Sequence, residues 1–110
     1  MIFWPRYIGS WKAKTAGLSA TQKGVYGEML DFVYSAEQPL PHSHDEIYRI
    51  AGAITREECK AVEFVLKKLW QRTEAGYVNP RTMEEIAKWR EKVEKKKHAA
   101  KVKWDKERAK

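Results

Sequence analysis

The feature that most constrains this chain is a motif written three times: Ser19 is followed three residues later by Gln22, Ser43 by Glu46, and Thr55 by Glu58. In such a box the hydroxyl accepts from the amide three residues on, and the Gln or Glu side chain reaches back to the first amide. Donors that a helix start leaves orphaned are thereby satisfied. Apolar spacing fills in the helices that these starts predict. The first covers residues 19–34, with Val25, Met29, Leu30 and Val33 on one face and with Gly24 and Gly27 admitting a close neighbour. Pro39 and Pro41 then impose an extended link. The second covers 44–51 and buries Ile47, Ile50 and Ala51, with Gly52 suited to a left-handed C-terminal cap. The third covers 55–70, with Cys59, Val62, Leu66 and Leu69 as its core stripe and Val65 and Trp70 at the edges.

A short helix, a tight turn at Gly52-Ala53-Ile54 and a longer helix make a helix-turn-helix pattern. Residues 70–73 and 77–79 flank Glu74-Ala75-Gly76 and read as a β-hairpin in the position of a wing, with Tyr77 either a wing residue or a strand residue that covers Trp70. The aromatic opening Phe3-Trp4-Pro5-Arg6-Tyr7-Ile8 reads as extended, lying along the hairpin or over the core, with Pro5 limiting it to an edge. A last helix from about Thr82 sets Ile86, Trp89 and Val93 on one face and then loses its stripe among Lys95, Lys96 and Lys97. Its first part is expected to pack and its end to project. The expected fold is mainly α with a small β-hairpin: a winged helix-turn-helix over 1–87, then a basic C-terminal helical extension over 88–110.

Charge divides the chain at the same place. Residues 1–87 hold eleven basic and eleven acidic side chains, whereas 88–110 hold eleven basic against four acidic, so the whole net charge of +7 sits in the extension. A polycation appended to a balanced domain is suited to phosphate or an acidic partner. No stretch is long and apolar enough to span a membrane and the start lacks the build of a signal peptide, so a cytosolic protein is expected. The single cysteine, Cys59, makes no internal disulfide and reads as a reduced core residue.

Nothing in the sequence calls for catalysis. His42, His44 and His98 have no acidic or cysteine spacing that forms a metal set, and there is no phosphate-cradling glycine loop or nucleophile motif. The pairs Asp45-Glu46, Glu57-Glu58 and Glu84-Glu85 stand at helix starts, where the macrodipole favours them. No enzyme, cofactor or metal is expected. The face of the third helix opposite Val62 is more informative, collecting Arg56, Glu57, Lys60, Phe64, Lys67, Lys68 and Gln71. In a helix-turn-helix domain that face enters the major groove: Arg and Gln read base edges, Lys meets phosphate and Phe touches a thymine methyl. The alternative is a solvated face with Phe64 packed on the aromatic N-terminus, and Glu57 and Glu63 would repel phosphate. Arg72 and Arg81 bracket the hairpin and give a wing positive charge at both ends.

The extension carries Lys92, Lys95, Lys96, Lys97, Lys101, Lys103, Lys106, Arg108 and Lys110, enough to neutralise several phosphates whatever their sequence; the alternative is a solubilising or disordered end, or the start of a linker to a further domain. Trp104 among them stacks on a base, inserts into a partner groove, or continues the stripe Ile86, Trp89, Val93, Ala100 into a contact between two copies; the last is the favoured reading.

In order and spacing, several segments together resemble the YdaU-like family of phage and prophage proteins. They are Trp4-Pro5-Arg6-Tyr7-Ile8-Gly9, Leu18-Ser19 leading to Gly24-Val25-Tyr26, Pro39-Leu40-Pro41, Val65-Leu66-Lys67-Lys68-Leu69-Trp70, and Gly76-Tyr77-Val78-Asn79-Pro80-Arg81. The chain departs from that family at Ser10, where an acidic residue is common. The resemblance covers residues 3–90 and implies a winged-helix-like domain in a phage replication initiator or accessory protein. The expected partners are therefore double-stranded DNA, a second copy through the C-terminal helix, and a replication protein such as a helicase loader. Transcriptional control by the same fold is the neighbouring alternative.

Overall fold

The computed structural model describes residues 7–108 and is mainly helical, with one two-stranded antiparallel hairpin. The order is α1 (Ile8–Thr15), α2 (Ala20–Ala36), α3 (His44–Ala51), α4 (Arg56–Leu69), β1 (Gln71–Thr73), β2 (Gly76–Val78) and α5 (Pro80–Arg108). The expected segment Phe3–Arg6 lies outside the described residues, as does Lys110.

Capping sets the helix starts. Ser19 and Thr55 form complete boxes with Gln22 and Glu58, each worth about 1 kcal/mol. Ser43 accepts from the Glu46 amide at 3.4 Å, but the Glu46 side chain does not return the bond, so the second expected box is one-sided. Glu37 closes α2 and Gly52 closes α3, both in the left-handed region with φ of 55° and 70°. Asn79 starts α5 with Pro80 as its first residue: the Asn79 Oδ1 accepts from the Arg81 amide at 3.1 Å, and its carbonyl accepts from the Thr82 hydroxyl at 2.8 Å. The helix therefore opens two residues before the expected Thr82.

The core gathers between α2, α3 and α4, with the start of α5 closing one end. Met29 of α2, Ile47 of α3, and Val62 and Val65 of α4 are fully buried, with Leu40 from the proline-bounded link beside them. Val65 is thus central rather than at the edge, and Trp70 is buried as well, because α2 packs along that side of α4. Cys59 is only half-buried, which corrects its assignment to the core. Gly24 faces open space and admits no neighbour.

The hairpin pairs Gln71 with Val78, Arg72 with Tyr77, and Thr73 with Gly76. It does not stand alone, because Leu40 bridges to Tyr77 through two backbone bonds of 3.0 and 2.9 Å. The link between α2 and α3 therefore supplies a third chain segment beside β2, through the single bridging residue Leu40.

The largest departure from expectation is α1. Ile8, expected in an extended segment, opens a helix whose Tyr7 cap makes no side-chain bond. Trp11 holds that helix in place, stacking on Tyr26 of α2 with centroids 5.5 Å apart and planes 6° from parallel, while the buried Thr15 hydroxyl donates to the Trp11 carbonyl.

Candidate nucleic-acid interface

The α4 helix has two unlike faces. Ala61, Val62, Val65 and Leu66 are buried, so Arg56, Lys60, Phe64, Lys67 and Lys68 on the other side are exposed, and Gln71 beyond the helix end is exposed too. Phe64 is 45% exposed, and the Lys68 ammonium lies 5.7 Å from its ring centroid, one turn along. The side chain is a cation-flanked aromatic plate on the surface rather than part of the core.

Glu63, expected to repel phosphate from this helix, is tied to neighbouring elements instead. The His44 Nδ1 lies 2.5 Å from its Oε1, and the Tyr48 hydroxyl donates to the same oxygen. Partial burial pushes the Glu63 carboxyl up, but the bonds from Tyr48 and His44 outweigh that and hold it below the usual carboxylate range. The same bond to Glu63, with burial adding to it, pushes the Tyr48 hydroxyl up to about 12.

His44 also reaches the hairpin. Its Nε2 lies 2.9 Å from the Tyr77 hydroxyl, so Tyr77 turns toward α3 rather than simply covering Trp70. Because the ionised Glu63 only accepts, the His44 Nδ1–H donates to it, while Nε2 pairs with the Tyr77 hydroxyl. From the same loop, His42 Nε2 donates to the Thr73 carbonyl at 2.7 Å. Two neighbouring histidines thus fasten the hairpin to the helix pair. Sequence reasoning did not find this arrangement.

Arg72 is exposed on β1, whereas Arg81 is half-buried in the first turn of α5 with its guanidinium 5.5 Å from the Tyr7 ring centroid. Arg81 lines a small aromatic pocket with Ser10, Trp11, Tyr26 and Tyr34, so it belongs to the α1–α5 contact more than to the hairpin. Burial pushes the Tyr34 hydroxyl there up to about 12, with Glu85 adding to it. Asn79 organises the hinge between hairpin and α5. It is buried, and its amide donates to the Tyr26 hydroxyl and to the Leu69 carbonyl, each at 3.2 Å.

In α5, Ile86 is buried and Trp89 and Val93 are half-buried, after which every described side chain is exposed. Arg90 anchors the packed part, donating to the Glu37 carboxylate at 3.0 Å and to the Glu37 carbonyl at 2.9 Å. That bond to Arg90 is the main reason the Glu37 carboxyl lies below its usual range. Lys96, Lys97, Lys101 and Lys103 project from the distal part, and Lys95 pairs with Glu91 at 3.2 Å.

Among the described residues no three His, Cys, Asp or Glu gather as a metal site, and no helix is long and apolar enough to cross a membrane. No curated protein and no solved structure matches the chain. Residues 3–87 match the model of a family described as Protein of unknown function (DUF1376). Since that match spans well over half of the sequence, the chain belongs to the DUF1376 family.

Proposed function

We propose that the chain is a winged-helix DNA-binding protein of phage or prophage origin acting in replication initiation. In this reading α4 lies in the major groove, the hairpin is the wing over the backbone, and distal α5 is a cationic arm. The observation that carries it is the outward face of α4, where Arg56, Lys60, Lys67 and Lys68 surround Phe64 while Glu63 is withdrawn to Tyr48 and His44. The Leu40–Tyr77 bridge supports a winged arrangement, because it joins the hairpin to the link ahead of the helix pair as a wing requires. The phage and replication setting rests on the resemblance to YdaU-like proteins. The family match ends at residue 87, where the basic extension begins.

Retention of a random-sequence duplex pool, followed by sequencing, tests the reading. A consensus is expected, and Arg56→Ala should relax it at one position; no enrichment would remove base reading from the account. A consensus clustered at a replication origin would separate initiation from transcriptional regulation by the same fold.

One observation favours a second reading. Residues 1–87 carry no net charge, which suits a protein-interaction module that dimerises or recruits a helicase loader better than a module that must hold DNA unaided.

A further inference from the structure

We infer that distal α5 is a single-strand-binding arm on which Trp104 stacks against an unpaired base. The inference rests on the reading of the chain as a nucleic-acid binder and adds which form of nucleic acid this helix takes. Trp104 is 64% exposed, an unusual position for the largest apolar side chain. One turn before it stand Ala100 and Lys101, and two turns before it Lys97, all exposed. The small Ala100 leaves one edge of the indole open along the helix, and the lysines flank that step. Among the described residues the ion pair on this stretch joins Lys95 to Glu91, and Lys96, Lys97, Lys101, Lys103 and Lys106 make none.

Charge decides what this face accepts. Residues 88–110 hold the whole +7 of the chain, so a second copy laid along the stripe would set lysine against lysine, whereas a polyanion would neutralise them. Strandedness follows from the indole. In a duplex each base is already stacked on both sides, and insertion would cost unstacking. An unpaired base offers a free face, and stacking on an exposed aromatic beside lysines is the common form of single-strand binding.

The test uses the full chain with labelled oligothymidylate and, separately, a labelled duplex. Trp104→Ala is expected to weaken oligothymidylate binding about tenfold and leave duplex binding unchanged, and Trp104→Phe should restore most of the loss. Because Trp104 makes no core contact, neither variant should change the unfolding midpoint. Equal loss on both nucleic acids, or no loss on either, would overturn the proposal. So would a Trp104→Ala protein that keeps its oligothymidylate affinity but sediments as a smaller species than the parent, since the indole would then serve a second copy. The α4 reading fails separately: it is tested by substitutions on α4 read out on duplex alone.

Discussion

The His44 imidazole is held between the Glu63 carboxylate, 2.5 Å from its Nδ1, and the Tyr77 hydroxyl, 2.9 Å from its Nε2. Those partners lie on α4 and β2, so one side chain at the start of α3 fixes both the candidate recognition helix and the hairpin. His44→Ala should leave the helices intact, since Ser43 and not His44 caps α3, while loosening the hairpin. Amide exchange in residues 71–78 should become faster relative to α2. Exchange that rises equally throughout would mean that His44 supports the core as a whole.

Acid should weaken the fold partly through Glu63. Its carboxyl is held below the ordinary value of 4.5 in the folded chain, so its ionised form contributes stability that is complete above that value and is lost as pH falls through the lower folded one. Urea midpoints measured from neutral pH downward should therefore drop more steeply in the parent than in Glu63→Gln. Parallel curves would show that Glu63 has no part in the acid response.

Alkali acts through two tyrosines with the opposite sign. Tyr34 and Tyr48 are raised from 10.0 to about 12, so the unfolded chain releases these protons first. Their contribution is full below about 10 and declines as pH rises toward 12. Tyrosinate absorbance during an alkaline titration should show late ionisation that coincides with loss of helix, and Tyr48→Phe should reduce it by one group.

Gly76 cannot be replaced without loss. Its φ of 132° is a glycine conformation, and an added Cβ would stand 2.0 Å from the Leu40 carbonyl oxygen that accepts from Tyr77. Gly76→Ala should cost roughly 2–4 kcal/mol by chemical denaturation, from strain together with the broken bridge. A cost near zero would mean that the bridge contributes little.

Asn79→Ala should cost a similar roughly 2–3 kcal/mol, because it removes the α5 cap and leaves the buried Tyr26 hydroxyl and Leu69 carbonyl without that donor. Thr55→Ala, which removes a cap at an exposed helix start, should cost only about 1 kcal/mol. If the two substitutions cost the same, the buried network around Asn79 is not the hinge described here.

What could be read in advance was local. The hydroxyls of Ser19, Ser43 and Thr55 announce their helices because each bond closes within three residues, and Gly76 announces the turn by its conformation. The start of α5 was also within reach, since Asn79-Pro80 is a cap followed by a favoured first residue. By contrast α1 has no cap signal, and its Trp11 is held by Tyr26, fifteen positions away. The His44–Glu63–Tyr77 chain is hidden for the same reason: its members are 19 and 33 residues apart, and helical periodicity places Glu63 only at the margin of the basic face. The exposed face of α4 was legible because amphipathic spacing names both its sides.

The most direct test of the central claim is duplex-DNA anisotropy across a salt series, comparing the parent with two full-length variants. Lys96, Lys97, Lys101 and Lys103 all changed to Ala should lower the salt slope by roughly 0.9 for each phosphate no longer neutralised, while keeping any sequence preference. Arg56, Lys60 and Lys67 all changed to Ala should weaken binding at least about tenfold and abolish that preference. An α4 variant that binds duplex as tightly and as selectively as the parent would contradict the account, leaving the arm as the nucleic-acid-binding element and the helical domain as a surface for a protein partner.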